Sequence, residues 1–333
     1  MKIAIFGTGG IARRVYLPLL TSWPGVEISG LFSRTQANVD KTCKDWHIPF
    51  GTTNFDQLMA TKPQAALVIT NNATHFPFTR QLLEAGIDVL VEKPMTYSSA
   101  EARQLAALAD KQQRILMVCF NRRYALLYQQ AYALIKDINL QLAVFQKHRN
   151  IISHFSLYNN YVDDTIHQID LMRHLCGEVK PVFTQTQMEN GKLVGAVSQA
   201  VTAQGGLAVL QTSLKGGGWQ ERVSLHGGNL TIEVDAFRQM KVKKGESEEI
   251  FGNDRPGRWI SELKERGFYG LVEEFLTCVE TRRQPLTSGQ DACRTHELID
   301  ELVKAAGENP ADETDNWDNV QRWTNKREPY FKS

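Results

Sequence analysis

The chain lacks a cysteine framework. Its five cysteines, Cys43, Cys119, Cys176, Cys278 and Cys293, are scattered, odd in number and form no CxxC pair. That argues against a disulfide-stapled scaffold and a thiolate zinc site, and leaves incidental thiols in a reducing compartment. Long apolar runs are missing too. None approaches the ~20 residues a spanning helix needs. Apolar patterning begins at once, at Lys2-Ile3-Ala4-Ile5-Phe6, with no signal peptide before it, so a cytoplasmic location is expected. Charge of one sign is absent: 38 Lys and Arg against 37 Asp and Glu give a net +1. No nucleic-acid or membrane partner held by charge is therefore expected. Internal repeats and low-complexity segments are also lacking.

What is present is an ordinary globular composition over 333 residues, enough for two domains. Residues 1–122 alternate short apolar runs with helical stretches. The runs are Ile3–Phe6, Val26–Phe32, Ala65–Ile69, Val89–Val91 and Ile115–Phe120; the helices include Ile11–Thr21, Thr74–Ala85 and Ser98–Asp110. Such alternation means crossover connections and a parallel sheet covered on both faces. Residues 123–333 read differently. A helix to about Ile135 and a β-branched stretch, Leu140–Lys147, precede a helix at Asp163–Cys176. Residues 180–245 are then consecutive strands separated by glycine turns, which implies an antiparallel sheet. Helices at Gly270–Thr281 and Gly289–Ala306 close the pattern. The fold class is α/β: an N-terminal parallel-sheet domain, then a C-terminal α+β domain with an open, mostly antiparallel sheet.

Gly7-Thr8-Gly9-Gly10-Ile11-Ala12 fits GxGxx(G/A). It follows an apolar strand and opens a helix, which is the context that gives the motif meaning. Gly7 makes the tight turn, Gly9 lets the backbone approach a pyrophosphate, and Ala12 allows close helix packing. Helix N-terminal amides then meet phosphate charge. This marks residues 1–122 as an NAD(P)-binding Rossmann domain. NAD-selective sites carry an acid at the end of the second strand. Here the chain has Phe32-Ser33-Arg34-Thr35, and hydroxyl and guanidinium donors suit a 2′-phosphate. The expected cofactor is NAD(P), leaning to NADP; an Arg34 that only stacks on adenine would leave both usable.

Two further segments carry chemistry. Val91-Glu92-Lys93-Pro94 follows a parallel strand, at the end of the sheet where ligands sit. Asp163-Asp164-Thr165-Ile166-His167-Gln168-Ile169-Asp170 lies on a helix, where Asp163 and His167 are i and i+4 neighbours. A carboxylate beside an imidazole suits a general base. A capping role for Asp163 or Asp164 is the second reading. A metal site is the third and weakest: Asp163, His167, Asp170 and His174 span about 16 Å of helical rise, too far for one ion. No metal is expected.

Together the GxGGIA turn, the EKP after a strand and the DxxxHxxD helix resemble the Gfo/Idh/MocA oxidoreductase family, that of glucose–fructose oxidoreductase and inositol dehydrogenase. The resemblance spans the chain and includes Thr70-Asn71-Asn72-Ala73-Thr74-His75, Phe120-Asn121-Arg122-Arg123 and the strands of Glu221–Val234. It is strongest with the MviM/YceM-like bacterial branch, through Lys147-His148-Arg149, Val162-Asp163-Asp164 and Arg266-Gly267-Phe268.

The resemblance implies roles. Lys93 stands by the nicotinamide and the substrate hydroxyl, His167 is the acid/base and Asp163 its partner. Glu92 helps hold the nicotinamide ribose and the loop, and Thr70, Asn71, Asn72 and His75 join the cofactor site. The implied activity is oxidation of a ring CH–OH of a sugar or cyclitol, or its reverse. Lys147, Arg149, Tyr161 and Asp164 are candidates for substrate contacts. Two departures stand out: Asn71 where relatives have proline, and Thr165 where many have glycine. A homodimer or homotetramer through the open sheet is expected, against a monomer whose sheet meets water through Thr202, Gln204, Gln211 and Ser213. The alternatives in function are a non-catalytic NAD(P)-binding sensor, a metal-dependent hydrolase using the Asp–His helix, and a reductase of a non-sugar carbonyl or imine.

Overall fold

The computed structural model describes residues 1–152, 156–252 and 260–311. Two compact units emerge. Among the described residues, the first comprises Met1–Cys119 and takes back Val272–Cys293 from late in the chain; the second comprises the described part of Phe120–Leu271 and residues 294–311. The division expected from patterning lay at 122/123, and its far end, 312–333, lies outside the described residues.

The first unit holds a six-stranded parallel sheet: β1 (Lys2–Phe6), β2 (Glu27–Phe32), β3 (Gly51–Thr52), β4 (Ala65–Val68), β5 (Asp88–Val91) and β6 (Leu116–Val118), in the order β3-β2-β1-β4-β5-β6. β4 and β5 are buried at every position, as strands covered on both faces must be. Order reverses between β1 and β4, and the crevice beyond their carboxyl ends is where such folds take ligands. β3 has only two residues, too few to show a pattern, so the sequence reading passed over it. The helices Gln36–Trp46 and Phe55–Met59 were likewise not singled out. The edge strand β6 is capped by residues from far along the chain. Val118 N–H donates to Thr287 O (2.9 Å), and Thr287 Oγ1 donates back to Val118 O (2.8 Å).

The second unit is built on an eight-stranded sheet. Its strands are β7 (Leu140–His148), β8 (Val179–Glu189), β9 (Lys192–Thr202), β10 (Leu207–Ser213), β11 (Gln220–Gly227), β12 (Leu230–Asp235), β13 (Gln239–Lys244) and β14 (Ser247–Gly252). They run β14-β13-β12-β11-β7-β10-β9-β8, and every pairing is antiparallel except β10 with β7. β7 is therefore central, although it is the first strand of this unit in sequence. Alternation sorts the faces. Ala143, Phe145, Leu210, Val223 and Leu225 are buried, on the side packed by helices Leu126–Ile135 and Ile166–Cys176. The opposite side carries Phe183, Val197, Val209, Leu207 and Leu142, with Leu207 53% and Phe183 45% exposed.

Candidate functional site

In the first unit, Gly7 leaves β1 at φ +119°, and a Cβ there would lie 2.4 Å from Ile69 O. Only glycine fits. A Cβ on Gly9, in contrast, would meet nothing within 4 Å, so open space faces that backbone. The helical run that follows is wound as a π turn over Ala12–Tyr16 before Leu17–Leu20, where a plain α-helix was expected. Arg13 clamps the glycine turn: Nε donates to Thr8 O (3.1 Å) and Nη2 to Thr42 Oγ1 (2.7 Å).

A cleft of about 350 Å³ opens over this turn. Gly7, Thr8, Gly9, Gly10 and Ile11 form its floor; Ser33 and Arg34 and then Thr70 and Asn71 form its walls. Ala12 is buried beneath it. Ser33 Oγ pairs with Thr8 Oγ1 at 3.0 Å, which joins the end of β2 to the glycine turn. Arg34 is exposed and lines the cleft. Asn38, in the first turn of helix Gln36–Trp46, also lines it, and sequence reasoning had missed it. Its signal was its position four residues after Arg34 on a helix capped by Thr35. The shape, the open backbone at Gly9 and the donors at Ser33 and Arg34 fit a dinucleotide.

His75 is buried, with Nδ1 2.7 Å from Pro94 O and Nε2 3.3 Å from Thr70 O. Burial pushes its pKa down to about 4, so the ring is neutral and donates one proton, through the shorter contact to Pro94 O. It thereby ties the Thr70–Asn71 wall to the EKP loop. Asn72 opens the 3-10 turn Asn72–Thr74, and Thr74 Oγ1 donates to Thr70 Oγ1 at 2.7 Å. Glu92 is buried as well. Its Oε2 accepts from Lys93 N–H (2.9 Å) and its Oε1 from the Tyr16 hydroxyl (2.7 Å). Tyr16 closes the π turn, so the glycine turn and the EKP loop share one buried hydrogen bond. Burial, Cys119 and Glu92 all raise the phenol pKa, which keeps its proton in place. Lys93 follows, half-buried, on a cis Lys93–Pro94 peptide.

In the second unit, Asp163 does not sit on a regular α-helix. Tyr161–Thr165 is a π turn, and the α-helix starts at Ile166. The α-helical spacing used for Asp163 and His167 therefore breaks inside the motif. His167 is buried, and its Nε2 lies 3.1 Å from Arg122 Nη1. Arg122 forks onto Glu221 (Nη2–Oε1 2.7 Å, Nε–Oε2 3.2 Å). Lys147 Nζ donates to the same Oε1 and lies 3.6 Å from Asp164. Arg149 forks onto Asp164 in turn, Nε to Oδ2 at 2.9 Å. Half-buried Asp163 adds negative charge near Arg149.

Burial works against the charged forms of Glu221 and Lys147. It leaves the Lys147 ammonium pKa below its ordinary value. At Glu221, Arg122 and Lys147 outweigh burial and hold the carboxyl at about 2. Tyr161 is fully enclosed and its hydroxyl pairs with Ser198 Oγ at 2.8 Å. Of the four expected substrate contacts, Arg149 has the most exposed side chain, at 38%. Asp170 is taken by Arg123 (2.8 and 2.5 Å), and His174 stacks on Tyr132. Among the described residues no group of three or more metal-ligating side chains is gathered. Arg122, Glu221 and Trp219, whose ring lies 5.8 Å from Lys147 Nζ, carry no role in the sequence reading. Asn121-Arg122 and Glu221 did fall inside segments of the family resemblance.

A six-stranded 3-2-1-4-5-6 sheet with a glycine-turn cleft, joined to an α+β unit on an open sheet, defines a two-unit dinucleotide-binding protein. Comparison with known proteins narrows the class. Residues 1–120 match the family model of GFO_IDH_MocA, described as an oxidoreductase family with an NAD-binding Rossmann fold. YceM of Salmonella typhimurium, named an oxidoreductase, is 28% identical over 92% of this chain and 98% of its own. The fold is shared with the dehydrogenase MviM of Clostridium difficile (TM-score 0.84, 22% identity, 92% and 99% covered). It is shared too with KijD10 of Actinomadura kijaniata, a 3-ketoreductase solved with NADP and TDP-benzene (TM-score 0.78, 18% identity, 92% and 97% covered). Residues 1–120 therefore carry the NAD-binding Rossmann fold of the Gfo/Idh/MocA oxidoreductase family, and the chain as a whole is similar to YceM and shares the fold of MviM. No helix among the described residues is long and apolar enough to cross a membrane.

Proposed function

We propose that the protein is an NAD(P)-dependent dehydrogenase or reductase acting on a CH–OH or C=O group of a sugar, cyclitol or related small molecule. The observation that carries this reading is the cleft over Gly7–Ile11, open at Gly9 and walled by Ser33-Arg34 and Thr70-Asn71. It supports a bound dinucleotide, with Gly9 and Gly10 at the pyrophosphate and Ser33 and Arg34 at a 2′-phosphate. NADP is thus the favoured form. A bound nicotinamide supplies the hydride acceptor or donor.

The chain's own groups then do the rest. Lys93 sets positive charge where alkoxide character develops. His167 handles the hydroxyl proton, and Asp163 stands on the π turn before it, adding negative charge near Arg149. Glu92 and His75 hold the EKP loop from beneath. Arg149 and Asp164 offer polar contacts to substrate hydroxyls, with Lys147 buried beside Asp164. A C=O substrate accords with the 3-ketoreductase neighbour. The apolar row on the open sheet supports a homodimer or homotetramer, in a cytoplasmic setting.

Turnover of a panel of sugars, cyclitols and their keto forms with NADPH and NADH tests the reading. Lys93→Ala and His167→Ala are expected to keep cofactor binding and lose turnover. Arg34→Ala is expected to weaken NADPH more than NADH. Unchanged turnover in both catalytic variants sinks the assignment. Cofactor binding with no turnover of any panel member points instead to a sensor.

A further inference from the structure

We infer that Arg122 is a positioning residue for His167: the Nη1–H it donates to Nε2 holds the imidazole as the neutral tautomer with its proton on Nδ1. The inference deepens the proposed function and rests on His167 being its acid/base. A guanidinium has donors only, so the 3.1 Å contact requires a lone pair on Nε2. A ring nitrogen that accepts carries no proton, and in a neutral imidazole the proton is then on the other. Turning the ring over would set Cε1 against the guanidinium and lose the bond.

Arg122 is not at liberty to move aside. Glu221, fully buried, grips it bidentately, and Nη1 also donates to Asn121 Oδ1 at 2.9 Å. Asn121 is itself anchored, its Nδ2 donating to Arg266 O at 2.8 Å. Phe237 faces the guanidinium at 5.4 Å, with Arg266 4.9 Å from the same ring. Every part of the donor is held before it reaches the histidine.

One consequence follows. Accepting a proton at Nε2 requires the bond to Arg122 to open first. Protonation by solvent meets the same obstacle, because a second N–H would face a donor-only cation. The other charges around this helix, among the described residues, have their own places. Asp163 and Asp164 stand on the π turn before it, and Asp164 is paired with Arg149 and near Lys147. On the helix itself Asp170 pairs with Arg123, Arg173 pairs with Glu178, and His174 stacks on Tyr132. β7 brings Lys147 and His148, β8 the exposed Lys180 and Glu189, and β10 no ionisable side chain. Arg122 is the cation that hydrogen-bonds the ring.

The test is a long-range ¹H–¹⁵N spectrum of histidine-labelled protein between pH 5 and 8. The chain has eight histidines, and His167 is assigned by the signals lost in His167→Gln. The expected result is a single Nδ1–H tautomer for His167 throughout that range. In Arg122→Lys, which keeps the charge but not the fork, the single-tautomer signature is expected to disappear. In Arg122→Met, the acid limb of oxidative turnover is expected to rise by about one pH unit or more. An Nε2–H tautomer or an imidazolium at pH 7 in the wild type overturns the inference, whatever the variants do. So does a tautomer unchanged in Arg122→Lys. The spectrum needs no turnover, so failure of the enzyme reading and failure of this inference give different results.

Discussion

Glu221 has no exposed surface, yet it stands ionised on β11 because Arg122 and Lys147 converge on it. Its carboxyl titrates near 2, against 4.5 for an unperturbed glutamate. A depressed acid adds stability that is complete above the unfolded value and lost as pH falls through the folded one. Glu221 therefore contributes about 3 kcal/mol above pH 4.5, fading between 4.5 and 2. Glu221→Gln strands two buried cations, and a loss of about 3–5 kcal/mol at pH 7 is expected. Urea midpoints of wild type and variant are expected to converge as pH drops below 4.5; parallel curves contradict the assignment. None of this was legible in the chain. Arg122 and Glu221 are 99 residues apart, and no local pattern marks two side chains that meet only after folding. Gly7 was legible for the opposite reason, since a tight turn is a property of adjacent residues.

At the scale of elements, the readable features were those with strong periods. The helix expected at Ser98–Asp110 is Ser99–Lys111, with Ser98 accepting from Glu101 N–H as its cap. The strand expected at Leu140–Lys147 is β7. What escaped was winding: one π turn, Ala12–Tyr16, leads on from the glycine motif, and another, Tyr161–Thr165, carries Asp163. Apolar spacing looks nearly the same for one wide turn as for an α-turn, so sequence cannot separate them. Such turns are frequent at functional sites. Caps, in contrast, act locally. Thr35 Oγ1 accepts from Asn38 N–H at the start of helix Gln36–Trp46, directly after Ser33-Arg34. Thr35→Ala is expected to cost about 1 kcal/mol. The Asn38 amide should exchange faster with solvent at the same time. Unaltered protection at Asn38 argues against the cap.

For the whole molecule, the class of each sheet was legible from its connections: helices between strands in one, turns between strands in the other. The place of β7 was not, because a central strand that pairs in parallel with β10 reads like any other strand. The open face of this second sheet is the basis for expecting self-association. Phe183, Leu207, Val209, Val197 and Leu142 share it, and apolar patches of this kind seldom stay in water. Sedimentation velocity is expected to find a dimer or tetramer. Lys at both Val197 and Leu207 should shift it toward monomer while circular dichroism stays the same. A monomeric wild type would remove the dimer proposal and leave the fold untouched.

The strap on β6 has a consequence for biosynthesis. The first unit is not made from one continuous stretch, since Thr287 bonds the last strand of its sheet and Arg282 pairs with buried Asp88 (2.6 Å). As the chain leaves the ribosome, residues 1–119 come out with an unguarded sheet border and a buried carboxylate still without its arginine. The partners of both arrive more than 160 residues later. A nucleotide-binding half cut at residue 120 would thus be an unfinished object, and the second unit is translated inside the interval before the first can be completed.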